Sequence, residues 1–187
     1  MQLFFRKINK LSDGFTLVET LVAISIFTVS IMALMSVLAQ GTADTRYAKQ
    51  KIVATYLAQE GIEYIRNMRD TYVLYPATSN DWNKFNAKLT PCNSGNECGF
   101  DSSKLVTDNA FIFKCSSGDC KLYIDNGSYN TSVGTDSGFV RKIEANPILN
   151  NEGTIIDGIK FFVTVSWTQG SGNKSIVFSE SLFNWIE

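Results

Sequence analysis

The chain begins with charges and then loses them. Arg6, Lys7, Lys10, Asp13 and Glu19 precede a stretch from Thr20 to Ala43 in which no residue is charged, and Asp44 ends it. As a helix, residues 20–43 would span about 36 Å at ~1.5 Å per residue, enough to cross a hydrocarbon core of ~30 Å. The pattern then changes without a break. From Asp44 to Arg69 there is no proline, and Ile52, Leu57, Ala58, Ile65 and Met68 recur near one face at helical spacing. Arg46, Lys49, Gln50, Glu60, Glu63 and Arg66 supply the polar remainder. The expectation is one helix from about Phe15 to Arg69, roughly 80 Å long. Its first half is apolar all round and its second half amphipathic, so the two halves need different surroundings. Gly61 costs about 1 kcal/mol in a helix interior; a closely packed sheet would explain it, and so would simple tolerance.

Beyond the helix the texture is that of strands and turns. Asp70 to Thr90 reads as a connection in which Ser79 or Asn80 caps a short helix through Leu89, ended by Pro91. Short apolar runs then alternate with Gly, Asn, Ser and Asp. The expected strands are Ala110–Cys115, Cys120–Asp125, Gly138–Ala145, Gly158–Trp167 and Lys174–Phe183. Phe161, Val163, Val165 and Trp167 alternate onto one face, Gln169 to Asn173 form a flexible hairpin tip, and Leu182 to Ile186 pack the C-terminus against the helix. The fold class is α+β, an antiparallel sheet burying one face on the helix segment 52–68. The expected layout is a membrane-length helix over 15–43 and one outer domain over 44–187. Within that domain lie the amphipathic helix 44–69, a loop region 70–105 and the sheet 106–187.

Charge sets the topology. The positive flank of Arg6, Lys7 and Lys10 holds the N-terminal end in the cytoplasm and sends the remainder outward. The net charge of -1 gives no basic balance that would point to direct nucleic-acid binding. Roughly 140 residues follow the apolar run, which suits one modest domain. Histidine is absent, which excludes histidine-based triads and zinc sites with imidazole ligands. Four cysteines, Cys92, Cys98, Cys115 and Cys120, would lie outside the cytoplasm, where disulfides persist. Local geometry favours Cys115–Cys120 across a hairpin of residues 111–114 and 121–124, leaving Cys92–Cys98 to close a small loop. A four-thiolate zinc site is the rival, but its usual spacings differ.

The junction between leader and helix carries a motif. Gly14-Phe15-Thr16-Leu17-Val18-Glu19 resembles the prepilin processing site of type IV pilins and type II secretion pseudopilins. The resemblance implies a leader of residues 1–14, peptidase cleavage between Gly14 and Phe15, and N-methylation of the new terminal Phe15. It also implies a pilin-like fold, and an assembly role for Glu19. A buried carboxylate is costly unless paired or protonated, and the Phe15 amine of a neighbouring subunit, or of the same helix, could pair with it. Leader removal takes away three positive charges and one negative charge, leaving about -3. Two plainer readings are an ordinary signal peptide cut after Val37-Leu38-Ala39 and a simple single-pass anchor. Signal peptides have apolar cores of only ~7–15 residues, and neither reading explains the order of the motif.

The longer string from Gly14 to Phe27 is similar to minor pilins and pseudopilins, especially the V-type and I-type. So are Leu57-Ala58-Gln59-Glu60-Gly61-Ile62-Glu63 and the terminal Val163-Thr164-Val165-Ser166-Trp167 hairpin. Major pilins of that family usually have a proline midway along the apolar helix, whereas this chain reads Met35-Ser36-Val37. The tip subunits often lack the glutamate, whereas Glu19 is present. The resemblance therefore implies a minor, non-tip structural subunit with no enzymatic activity and no cofactor. Its implied partners are other pilin or pseudopilin subunits, prepilin peptidase, an inner-membrane assembly platform and membrane lipid. The alternative is a membrane-anchored adhesion module that never polymerises. An enzyme is the third reading: Asp125, Asn126, Asp136 and Ser137 sit in Gly-rich turns but complete no calcium pattern.

Overall fold

The computed structural model describes residues 14–75, 82–93, 95–116, 120–150, 153 and 156–184. Helix α1 is continuous over Leu17–Leu74. It passes the expected end at Arg69 because no proline or glycine lies between Asp70 and Leu74, and Tyr72 and Val73 still pack partly against the core. The chain divides after Arg46 into two units, and α1 contributes to both.

In the first unit no described residue is buried, and large apolar side chains such as Leu21, Phe27 and Met35 stand exposed around the helix. A surface of that kind belongs in lipid or against other helices rather than in water. Its hydroxyls are folded inward. Thr20, Ser25, Thr28, Ser30 and Thr42 donate to the carbonyls of Leu17, Leu21, Ser25, Ile26 and Ala39 at 2.8–2.9 Å. Each of these five hydroxyls is thereby satisfied within the segment, as a hydrocarbon surround requires.

In the second unit α1 buries Ala54, Leu57, Ala58, Gly61, Ile65 and Met68, a stripe recurring every three or four residues. Ile52 does not belong to it. Its side chain is 57% exposed, because the stripe starts at Ala54 and Ile52 falls on the opposite side of the helix. The stripe lies on a sheet of seven strands: β1 Cys98–Phe100, β2 Ile112–Lys114, β3 Lys121–Asp125, β4 Ser128–Asn130, β5 Thr135–Leu149, β6 Ile156–Gln169 and β7 Gly172–Phe183. Its inner face is built by period-two alternation: Phe139, Arg141, Ile143 and Ala145 on β5, then Phe161, Val163, Val165 and Trp167 on β6. Gly61 answers to this packing. A Cβ there would meet Val163 Cγ1 at 2.8 Å and Cγ2 at 3.4 Å, so the sheet takes the space a side chain would need. Close approach, not tolerance, accounts for the glycine.

Two charge pairs lie between this part of the helix and the sheet. Arg66 donates to both carboxylate oxygens of Glu180 on β7, from Nη2 at 2.9 and 2.8 Å and from Nε at 3.2 Å. The fork geometry and the attraction of Glu180 raise the Arg66 pKa further. Arg141, on β5, is buried; its Nη1 donates to Glu60 Oε2 at 2.6 Å and to the Leu57 carbonyl at 3.4 Å. The guanidinium carbon lies 3.9 Å from the centroid of the Phe100 ring, a cation–π contact. Burial lowers the Arg141 pKa, and Glu60 and Tyr64 oppose that shift.

Strand order corrects several expectations. β6 occupies one edge of β5 from Phe139 to Leu149. The other edge is shared end to end, by β3 at Thr135, Asp136 and Val140 and by β1 at Ile143. The expected hairpin of residues 111–114 on 121–124 does not form. β2 pairs with β1, and β3 pairs with β4 and β5. β1 lies inside the segment expected to be loop; its three residues are too few to show a period, yet all are buried. The Cys115–Cys120 bridge is present all the same, with Cα atoms 5.5 Å apart, and Cys92–Cys98 is present at 4.9 Å. Gly99 makes room for the former, since a Cβ there would meet Cys120 Sγ at 2.8 Å. β5 is longer at both ends than expected, β4 was not foreseen, and the β6–β7 connection is a two-residue turn at Gly170 (φ 58°) and Ser171 rather than a flexible tip. The short helix is α2, Trp82–Lys88; its expected caps, Ser79 and Asn80, lie outside the described residues, as do Trp185 and Ile186. Leu182 is buried as expected, whereas Phe183 is largely exposed.

The Gly61 contact makes a direct prediction. Gly61→Ala forces Val163 or the helix to move and lowers stability by about 1–3 kcal/mol, the usual range for overpacking. Thermal unfolding of the single variant should show the loss, and adding Val163→Ala should recover part of it.

Candidate functional site

The start of α1 is built by its own side chains. Gly14, Phe15 and Thr16 are non-helical and exposed, and Leu17 is the first helical residue. The Glu19 amide donates to Thr16 Oγ1 at 3.3 Å, so Thr16 is the N-cap and Glu19 stands at the third helical position. A Thr-x-x-Glu arrangement is the sequence form of a capping box. The carboxylate of Glu19 also lies where the helix dipole favours a negative charge. The Gly14–Phe15 peptide bond is thus accessible, in non-helical backbone directly ahead of a capped helix. Its one carboxylate sits a single turn in. The sequence pattern alone pointed to Gly14, Phe15 and Glu19; Thr16 was missed, although its spacing to Glu19 was a readable cap signal.

Other residues singled out from the sequence hold turns together. Asp136 Oδ1 accepts from the Gly138 amide at 2.8 Å, and Asp136 Oδ2 lies 3.6 Å from Lys121 Nζ. Ser137 Oγ donates to the Leu122 carbonyl, and the Asn126 amide donates to Asp125 Oδ2 at 3.3 Å. Asn126 and Gly127 both have positive φ, 48° and 80°, forming the two-residue turn between β3 and β4. Asp136 and Ser137 serve the backbone, while Asp125 and Asn126 bond each other. The cysteines are paired as disulfides, and no cluster of three or more His, Cys, Asp or Glu is found among the described residues. Asp101, absent from the sequence reading, is buried beside β1, where Oδ1 accepts from the Ser103 amide at 3.1 Å and from its hydroxyl at 2.6 Å.

Compared with known families, residues 9–38 match the prokaryotic N-terminal methylation motif, which brackets Gly14, Phe15, Thr16 and Glu19. Such motifs are typical of type IV pilin and pseudopilin precursors, and they imply processing by prepilin peptidase and assembly with other pilin subunits. Neither the search of curated proteins nor that of solved structures returned a match. The motif reaches from residue 9 through most of the apolar stretch that ends at Ala43. The sheet domain therefore rests on its own geometry: an α+β arrangement with the helix packed on an antiparallel sheet.

Two predictions follow from these sites. Thr16→Ala removes the cap of α1 and should cost about 1 kcal/mol at the first turn. Amide exchange in the full chain should accelerate at Val18, Glu19 and Thr20 and be unchanged past Ser25. Asp101 supplies a pH dependence. Desolvation raises its pKa, but the Ser103 hydroxyl and amide and the Lys104 ammonium together outweigh it and lower the value below the usual carboxylate range. A depressed carboxylate contributes stability above its unfolded pKa of about 3.9, and that contribution is lost as pH falls through the folded value. Asp101→Asn should therefore lower the melting temperature at neutral pH and converge with wild type in acid.

Proposed function

We propose that the chain is a minor pilin-like structural subunit of a type IV pilus or type II secretion pseudopilus. Prepilin peptidase cuts between Gly14 and Phe15, Phe15 is N-methylated, and the mature helix anchors the subunit in the membrane before it enters an extracellular filament. Residues 1–14 form the leader, 15–43 the membrane and filament-core segment, and 44–187 the outer domain, with its N-terminus facing the cytoplasm before cleavage. The observation that carries this reading is the motif over residues 9–38 on a helix preceded by an exposed, non-helical Gly14–Phe15 bond. Cleavage creates an amine on Phe15 near the carboxylate of Glu19, and pairing the two between neighbouring subunits fixes one axial stagger while neutralising both charges. An uninterrupted α1, without a helix-breaking proline in its apolar half, supports a minor rather than a bulk subunit.

Glu19→Ala tests this role. The variant should be processed and remain in the membrane, yet be lost from sheared filament fractions and from co-purification with other leader-bearing subunits. Unchanged recovery with those subunits contradicts the assembly role. It would favour the second reading, an anchored adhesion module that does not polymerise.

A further inference from the structure

An open cleft of about 730 Å³ lies where the amphipathic part of α1 meets the turn after β1 and the short strand β4. Tyr56, Glu60 and Tyr64 line it from the helix, and Ser103, Ser128 and Tyr129 face them. Its volume is that of small-molecule sites rather than of a surface dimple. We propose that this cleft binds a neutral saccharide. The proposal goes beyond the filament role and is independent of it.

Three features of the cleft narrow the ligand. The first is charge. Glu60 brings a carboxylate to the wall, but its Oε2 is 2.6 Å from Nη1 of the buried Arg141, so the pair carries no net charge. No lysine or arginine lines the cleft among the described residues. An anion such as a nucleic acid or an acidic glycan finds no cation there, and a cation finds a carboxylate already neutralised. What Glu60 still offers is acceptor oxygens held in place, which suit paired hydroxyls.

The second feature is the aromatic content. Tyrosine rings present flat apolar faces with a polar tip, matching sugar rings whose faces are C–H and whose edges are hydroxyl. Two of the three rings are held by packing: Tyr64 lies 4.6 Å from the Phe100 ring, and Tyr129 meets Phe139 edge-on at 6.4 Å. Tyr56 is 68% exposed and forms an open rim. The third feature is preorganisation. The Asn126–Gly127 turn fixes β4, Asp101 fixes the turn bearing Ser103, and the Ser102 hydroxyl reaches the Tyr129 carbonyl at 3.4 Å, tying the two loops together. Little ordering entropy remains to be lost on binding.

The test is saturation-transfer NMR on the full chain in a sugar-free zwitterionic detergent. The probes are neutral oligosaccharides, with sulfated oligosaccharides and tetramethylammonium as charged comparators. The expected result is transfer to ring C–H protons of one or more neutral sugars. Tyr56→Ala should weaken the affinity roughly three- to tenfold, the scale of one aromatic contact. Tyr75→Ala, at an 81% exposed tyrosine outside the cleft, should leave it unchanged. The proposal is overturned if no neutral sugar responds at about 10 mM, which would fill a millimolar site, or if only the charged comparators bind. It is equally overturned if Tyr56→Ala leaves sugar binding intact, and loss of subunit co-purification in that variant would then mark the cleft as a subunit contact. The leader reading stands or falls separately, on processing at Gly14.

Discussion

The approach of α1 to the sheet at Gly61 is the contact on which the sheet-bearing unit depends. Val163 occupies the volume that a side chain at 61 would need, so the helix lies close enough for Ala54, Leu57, Ala58, Ile65 and Met68 to be buried. Small residues at 54, 58 and 61 set that distance, and the large residues of β6 fill it. The same closeness brings Arg141 within reach of Glu60 and the Leu57 carbonyl, and Arg66 within reach of Glu180. Removing Glu60 would leave the buried Arg141 charge uncompensated, which costs more than the pair contributes. The charge pairs thus depend on the packing, rather than the reverse.

One helix also has to meet two solvents. Its first part exposes large apolar side chains on all sides and folds its hydroxyls onto its own carbonyls. Its second part buries a stripe of apolar residues and pairs Glu60 and Arg66 with the sheet. The change falls between Ala43 and Asp44 in sequence, and burial begins at Ala54. Helical backbone suits the apolar part in particular, because exposed backbone groups in lipid would cost several kcal/mol each.

How much of this could be read in the sequence depended on how long each pattern ran. The helix and the alternation Phe161-Val163-Val165-Trp167 each repeat enough times to be unambiguous, and the structure has both. Both disulfides were legible from spacing, but Cys115–Cys120 does not span the hairpin that the spacing suggests. The bridge joins neighbouring strand ends around Gly99, not the two arms of a hairpin. β1 and β4 escaped notice because three residues hold no period. The buried Arg141 was invisible for another reason: a charged residue on a strand reads as an outward position until its partner on a distant helix is known. Thr16 stood in a motif whose family role drew attention to its neighbours, while its local role as a cap follows from the spacing to Glu19 alone.

The central claim is that Gly14–Phe15 is a processing junction and that the mature chain starts with the helix it caps. Mass spectrometry of the N-terminal peptide from membrane-extracted protein addresses this most directly. The account predicts a chain beginning at Phe15 with a methyl group on its α-amine. A chain that begins after Ala39, or that still carries Met1 in the presence of an active prepilin peptidase, would contradict it.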